Sequence, residues 1–264
     1  NKLFFFAGYQ GTTTRQDPSD TQSFIPTAAI LAGDWTAFAS PACNGGVQRT
    51  LRAPFVNGGA SPNGTIYTIN PSQYSKVSLG IVGRTDMPKT SDPCGKLTWG
   101  NPLVVNDHMA IGRIDYQLSP KHTLFGRYLL DSSRGPNPYS LTGNLLSTNT
   151  TGSNGMANAF TVGSTYLISA NVVNAVRLTA NRTATLNETG LFYAWSDYGS
   201  TIISPYPKRS LMSITGGFSV GAAVQGGPVW GNLIGGNDDV TWARGTHQIS
   251  FGVSGGRFTN INQN

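Results

Sequence analysis

Three times along this chain, two runs of alternating residues meet across only two or three positions. Everything between those meetings is tens of residues long. The first pair is His108 to Leu118 and His122 to Asp131. Ala110, Gly112, Ile114, Tyr116 and Leu118 alternate with Arg113, Asp115 and Gln117, then Leu124, Gly126, Tyr128 and Leu130 alternate with Thr123, Arg127 and Asp131. The parity of the polar positions predicts a three-residue link, Ser119-Pro120-Lys121, with Leu118 opposite His122. The second pair covers 157–168 and 171–184 with a turn near Ser169-Ala170, and the third covers 238–244 and 247–258 around Gly245-Thr246. Period-two alternation is the mark of a strand with two unlike faces, and a Gly-containing two-residue link is a usual hairpin turn. A seventh run, 3–13, opens on Leu3-Phe4-Phe5-Phe6.

About 90 residues separate that first strand from the first hairpin, about 24 the first hairpin from the second, and about 50 the second from the third. A soluble β-sandwich also alternates, with one face in its core. It has no reason to place all its short links at one end and all its long ones at the other. Outer-membrane barrels do, with short periplasmic turns and long external loops. Tyr116, Tyr128, Tyr166 and Trp242 lie near the short turns, where such barrels carry an aromatic girdle.

Only 11% of residues are charged, against roughly 25% in an ordinary soluble domain. The chain has 33 Gly, 12 Phe, 10 Tyr and 5 Trp, too aromatic for disorder, and it lacks the run of about 20 apolar residues that a membrane-spanning helix needs. The expected fold is therefore all-β: a partial transmembrane antiparallel β-barrel of about seven strands occupying residues 1–264, with a long extracellular loop over 14–107. Both ends begin and stop inside the strand pattern, so an odd number of strands is expected to form an open sheet, not a closed barrel.

Charge on the lipid side at mid-bilayer costs roughly 2–4 kcal/mol for Arg or Lys. The alternation therefore assigns Arg113, Asp115, Arg127, Asp131 and Arg177 to the lumen face. Ile114, Tyr116, Leu124, Tyr128, Phe160, Val176, Ile249 and Phe251 fall on the opposite face. Cys43 and Cys94 are the chain's two cysteines, and both stand in the long first loop. In an exported protein an even pair reads as a disulfide. Closing about 50 residues contributes about 4 kcal/mol in the chain-entropy model.

The formal net charge is +6, but Lys and Arg are scattered, so nucleic acid is not an expected partner. His108, His122 and His247 are not at metal-ligand spacing, and no phosphate-binding glycine loop is present, so no metal or other cofactor is expected. Gly217-Phe218-Ser219-Val220-Gly221 fits the hydrolase pattern G-x-S-x-G, with Asp238, Asp239 and His247 in the right order. That motif needs a helix after the serine, and none is expected, so the chain is not read as an enzyme.

Longer runs carry a family resemblance. KLFFFAGYQGTTTRQ, then Pro26-Thr27 with Gly33-Asp34-Trp35, then Arg113-Ile114-Asp115-Tyr116 and Leu124 to Tyr128, resemble the barrel of TonB-dependent outer-membrane receptors of the Oar-like type. The closing stretch from Val240 to Gly252 is similar to that family too. The resemblance implies a 22-stranded barrel around an N-terminal plug, driven by the TonB complex, for active uptake of a substrate it does not identify. Its implied partners are the plug domain, the TonB complex, outer-membrane lipid and that substrate. The other class of function open at this point is a surface adhesin or structural barrel that binds a partner through its loops.

Overall fold

The structure, a computed structural model, describes residues 2–51, 67–190, 192–203, 206, 208–221 and 227–262. Residues 52–66 of the first long loop lie outside the described residues. Seven long strands carry the alternating runs: β1 (Leu3–Gln16), β4 (Leu103–Ser119), β5 (His122–Gly135), β6 (Gly152–Ser169), β7 (Val172–Glu188), β10 (Pro228–Arg244) and β11 (His247–Asn262). Four short ones lie in the loops: β2 (Thr21–Phe24), β3 (Lys96–Trp99), β8 (Leu211–Ser213) and β9 (Ser219–Gly221). The long strands form one antiparallel sheet in the order β1-β4-β5-β6-β7-β10-β11. The outermost strands have no further partner among the described residues, so the barrel is open. No helix among the described residues is long and apolar enough to cross a membrane.

The long strands run 14–18 residues, beyond the 9–11 that cross a bilayer. Where they outrun the ranges expected from alternation, they do so at the long-loop end. The largest extension is in β10, which begins at Pro228 and not at 238, and the first loop spans 17–102, not 14–107. Residues there are either polar or small on both faces, as in Gly152-Ser153-Asn154-Gly155, or apolar on both, as in Leu233-Ile234. A strand with water on both sides keeps its hydrogen-bond ladder but loses the alternation that marks it in a sequence.

The hairpin turns differ from the parity argument in one detail. Ser119 pairs with His122, so the first turn is Pro120-Lys121, and the extra residue is absorbed by a register shift between Gln117 and Ser119. The second hairpin does the same: Ser169 pairs with Val172 around Ala170-Asn171, with the shift between Leu167 and Ser169. A bulge next to a two-residue turn preserves the facing of the strands as an odd-numbered loop would. The third turn is Gly245-Thr246 with Arg244 opposite His247, as expected.

Among the described residues, none of the hydrophobic core belongs to the seven-stranded sheet. Ile25, Ile81, Met87, Leu145, Leu146, Tyr193, Phe218 and Val220 form one buried cluster, and all of them stand in the three long loops. The loops are 17–102, 136–151 and 189–227, and all leave the same end of the sheet, where Gln16 meets Leu103, Gly135 meets Ser153 and Leu186 meets Pro228. Together they make a folded cap. Backbone bonds tie the loops pairwise: the Phe24 amide donates to the Gly217 carbonyl at 3.1 Å and the Leu145 amide to the Asp86 carbonyl at 2.9 Å. The Gly221 amide donates to Thr148 Oγ1 at 2.6 Å. The Cys43–Cys94 disulfide closes the first loop on itself, with 5.2 Å between Cα atoms.

Candidate functional site

Two regions concentrate chemistry: the polar face of the sheet and a cavity in the cap. Register sorts the sheet residues without ambiguity. Asp115 stands opposite Phe4 and Phe125, Arg113 opposite Phe6 and Arg127, and Arg127 opposite Thr161. Asp131 lies between Met109 and Ala157, and Arg177 between Gly163 and Asn237. All five charged residues singled out from the sequence therefore share one face. Ile114, Tyr116, Leu124, Tyr128, Phe160, Val176, Ile249 and Phe251 share the other.

On the polar face Arg113 makes a two-pronged bond to Asp115, Nε at 2.8 Å and Nη2 at 2.7 Å. Its guanidinium also lies 4.2 Å from the centre of the Phe125 ring. Such a pair is fixed in direction by the planar fork and by the ring beneath it. Arg127, the like-charged neighbour of Arg113, makes no ion pair among the described residues. Arg177 reaches Asp239 at 3.8 Å. One carboxylate oxygen of Asp131 is buried without a hydrogen-bond partner. Phe4 and Phe6 belong to this face but were not singled out, because Phe4-Phe5-Phe6 is apolar throughout and gives no alternation to follow; Asp239, which also belongs to it, was noted only within the hydrolase-like pattern.

The cap cavity holds about 210 Å³ and is lined by Pro26, Ile30, Leu31, Trp35, Tyr74, Leu79, Val82, Met212 and Ile214, with Ser75 and Ser78 at its polar margin. Its first wall is the resemblance element itself. Thr27 caps the short helix Ala28–Leu31 by accepting from the Ile30 amide at 3.2 Å. Gly33 then takes φ +98°; its amide donates back to the Ile30 carbonyl, its carbonyl accepts from the Ile69 amide at 2.9 Å, and the Trp35 amide donates to the Tyr67 carbonyl at 2.8 Å. Trp35 Nε1 donates to the Tyr74 hydroxyl at 2.8 Å, which donates on to the Ile30 carbonyl at 2.6 Å. The wall's polar atoms are thus paired, and an apolar surface faces the cavity. The second wall is the helix Lys76–Val82. A Cβ on its Gly80 would stand 2.2 Å from Tyr198 Cδ1, so glycine is what lets the helix lie against the third loop. Sequence reasoning found Trp35 but missed Tyr74, Leu79 and Val82, because a seven-residue helix offers little periodicity inside a polar stretch.

Beside the cavity a charged knot locks first loop to second. Arg84 bonds both carboxylate oxygens of Asp86, and the Tyr139 hydroxyl donates to Asp86 Oδ2 at 2.6 Å. Burial pushes the Asp86 carboxyl up, but Arg84 and Tyr139 outweigh it and hold it below the ordinary carboxylate value. The same bond, with burial, raises the Tyr139 hydroxyl. A depressed carboxylate contributes stability above its unfolded pKa and loses it as pH falls through the folded value. Cap stability is therefore expected to fall between roughly pH 5 and pH 2, with Asp86→Asn already weakened at neutral pH and flatter below. Fluorescence of Trp99 and Trp195, which pack on the cap core, checks this; identical acid profiles for the two proteins would rule the knot out as a stabiliser.

The hydrolase-like residues stand apart. Ser219 lies in β9 of the cap, with its hydroxyl 2.8 Å from that of Ser213. His247 opens β11 at the far end of β10, which is about 50 Å away along a strand of that length. Among the described residues no group of three or more His, Cys, Asp or Glu is placed to hold a metal ion.

An open antiparallel sheet with one apolar face and short turns at one end agrees with the family comparison. Residues 1–264 match the outer membrane beta barrel domain. The chain belongs to that family. It is accordingly a barrel protein of the outer membrane of a Gram-negative bacterium. No curated protein and no solved structure matches it.

Proposed function

We propose that this barrel is part of a TonB-dependent receptor of the Oar-like type that takes up a substrate across the outer membrane. The observation that carries the reading is the cap: three loops fold over one end of the sheet around their own core and leave an apolar cavity walled by the Gly33-Asp34-Trp35 element. In this reading the short turns are periplasmic and the cap is extracellular. The cap cavity captures an unidentified ligand. Arg113, Asp115, Arg127, Asp131 and Arg177 face the lumen, where they line the path and meet the plug domain. Energy comes from the TonB complex, and the chain performs no catalysis of its own.

The test is crosslinking of the protein to TonB in living cells, with growth measured on scarce nutrients. The reading expects a TonB crosslink and a growth defect when the cap is deleted. A protein that never contacts TonB, and whose loss weakens attachment to surfaces instead of growth, is a surface adhesin.

A further inference from the structure

The apolar face of the sheet changes character at a constant distance from the short turns. Moving up from the turns, Leu124, Tyr128, Phe160, Val176, Leu178, Val240, Phe251 and Val253 fill most of the first nine positions. Among the described residues the one acidic or basic side chain on this face in that zone, past the residues flanking the turns, is Asp238, which bonds to Asn174. Then cations appear together. Arg134 stands twelve residues beyond His122, Arg182 ten beyond Val172, and Arg257 ten beyond His247. All three are exposed.

At about 3.3 Å per residue and a strand tilt of about 40°, ten to twelve residues rise about 25–30 Å. The lipid-facing apolar band of an outer-membrane barrel is about 25 Å tall. The cations therefore sit at its upper rim, at headgroup height. Arg134 is paired across the sheet with Asn106 and Asn154, and Arg182 with Asn158 and Asn232. Each arginine is so flanked by amides that can donate to the same oxygens. Neither these two arginines nor Arg257 has an acidic partner among the described residues. A guanidinium fork between amides matches a phosphate, and the nearby carboxylate on this face, Glu188, is bonded by Asn154 and pairs with none of the three arginines.

We propose that Arg134, Arg182 and Arg257 form a belt that binds the phosphate groups of outer-leaflet glycolipid, lipopolysaccharide, around the barrel. The proposal rests on the sidedness stated above, with the cap outside the cell.

The test uses the protein extracted from outer membrane in mild detergent, with native mass spectrometry of bound bisphosphorylated lipid A and of the dephosphorylated lipid. The wild type is expected to prefer the phosphorylated lipid by about a hundredfold, at roughly fivefold per arginine. Arg134→Gln/Arg182→Gln/Arg257→Gln should abolish that preference, and the triple Lys variant should keep most of it. Heat-dependent electrophoretic migration establishes that each variant folds. A wild type indifferent to the phosphates overturns the belt without reference to any variant, as does a folded Gln variant with undiminished preference. Labelling a cap residue in intact cells separates the two readings. A cap unreachable from outside overturns the sidedness, whereas a reachable cap on a barrel with no phosphate preference overturns the belt alone.

Discussion

Leu145→Ala is expected to destabilise the cap by about 3 kcal/mol while leaving the strand ladder intact. Leu145 is fully buried, and it lies in the shortest loop, between residues contributed by the other two. Its backbone amide also bonds Asp86, so the side chain sits where the first and second loops are already clamped. Truncation leaves a cavity that three separately anchored loops cannot close by small shifts, which places the loss in the middle of the range for buried leucine. Hydrogen exchange measured across the chain checks both halves of the claim. Amides of Ile81, Thr148 and Val220 should lose protection together, and those of Arg127, Thr161 and Thr179 in the sheet should not. Equal loss in strands and loops would mean that cap and sheet unfold as one unit. No loss anywhere would mean that the cap's core carries little of its stability.

That separation explains which parts of the fold were legible in the sequence. The sheet announces itself because each strand has unlike solvents on its two faces. Arg113 beside Ile114, or Thr161 beside Phe160, is the pattern that a pleat between unlike surroundings requires. Register follows from the same pattern, so a bulge at Leu118 changed the turn but not the facing of a single charged residue. Strand ends were lost where the contrast of solvents ends, at Pro228 to Asn237 above all. The cap was almost illegible. Its core draws single residues from distant places, such as Ile25, Met87, Leu146 and Phe218, and no one segment shows a periodic face. The Cys43–Cys94 pair was the exception, since an exported protein with two cysteines in one loop leaves little choice of partner. Trp35 was visible through family resemblance alone, and what it does there, bonding Tyr74 to close the polar edge of a cavity, needed the structure.

The facing of the strands predicts a large asymmetry between neighbouring positions. Leu178→Arg is expected to cost about 2–4 kcal/mol, and Thr179→Arg close to nothing. Both residues lie in β7, six and seven positions beyond Val172, which puts them about 15 Å into the apolar band. Leu178 is exposed, and its register neighbours are Val162 and Gly236, so an arginine there meets hydrocarbon; the diagonal acid, Asp238, already accepts from Asn174. Thr179 stands between Thr161 and Gly235 on the face that carries Arg113, Arg127 and Arg177. An added guanidinium there finds polar neighbours. Folding titrations into lipid vesicles, monitored by tryptophan fluorescence and urea, measure the two costs. Equal penalties at the two sites would mean that both faces meet the same solvent. The seven strands would then be one layer of a soluble sheet, and the height argument for the arginine belt would fall with the membrane.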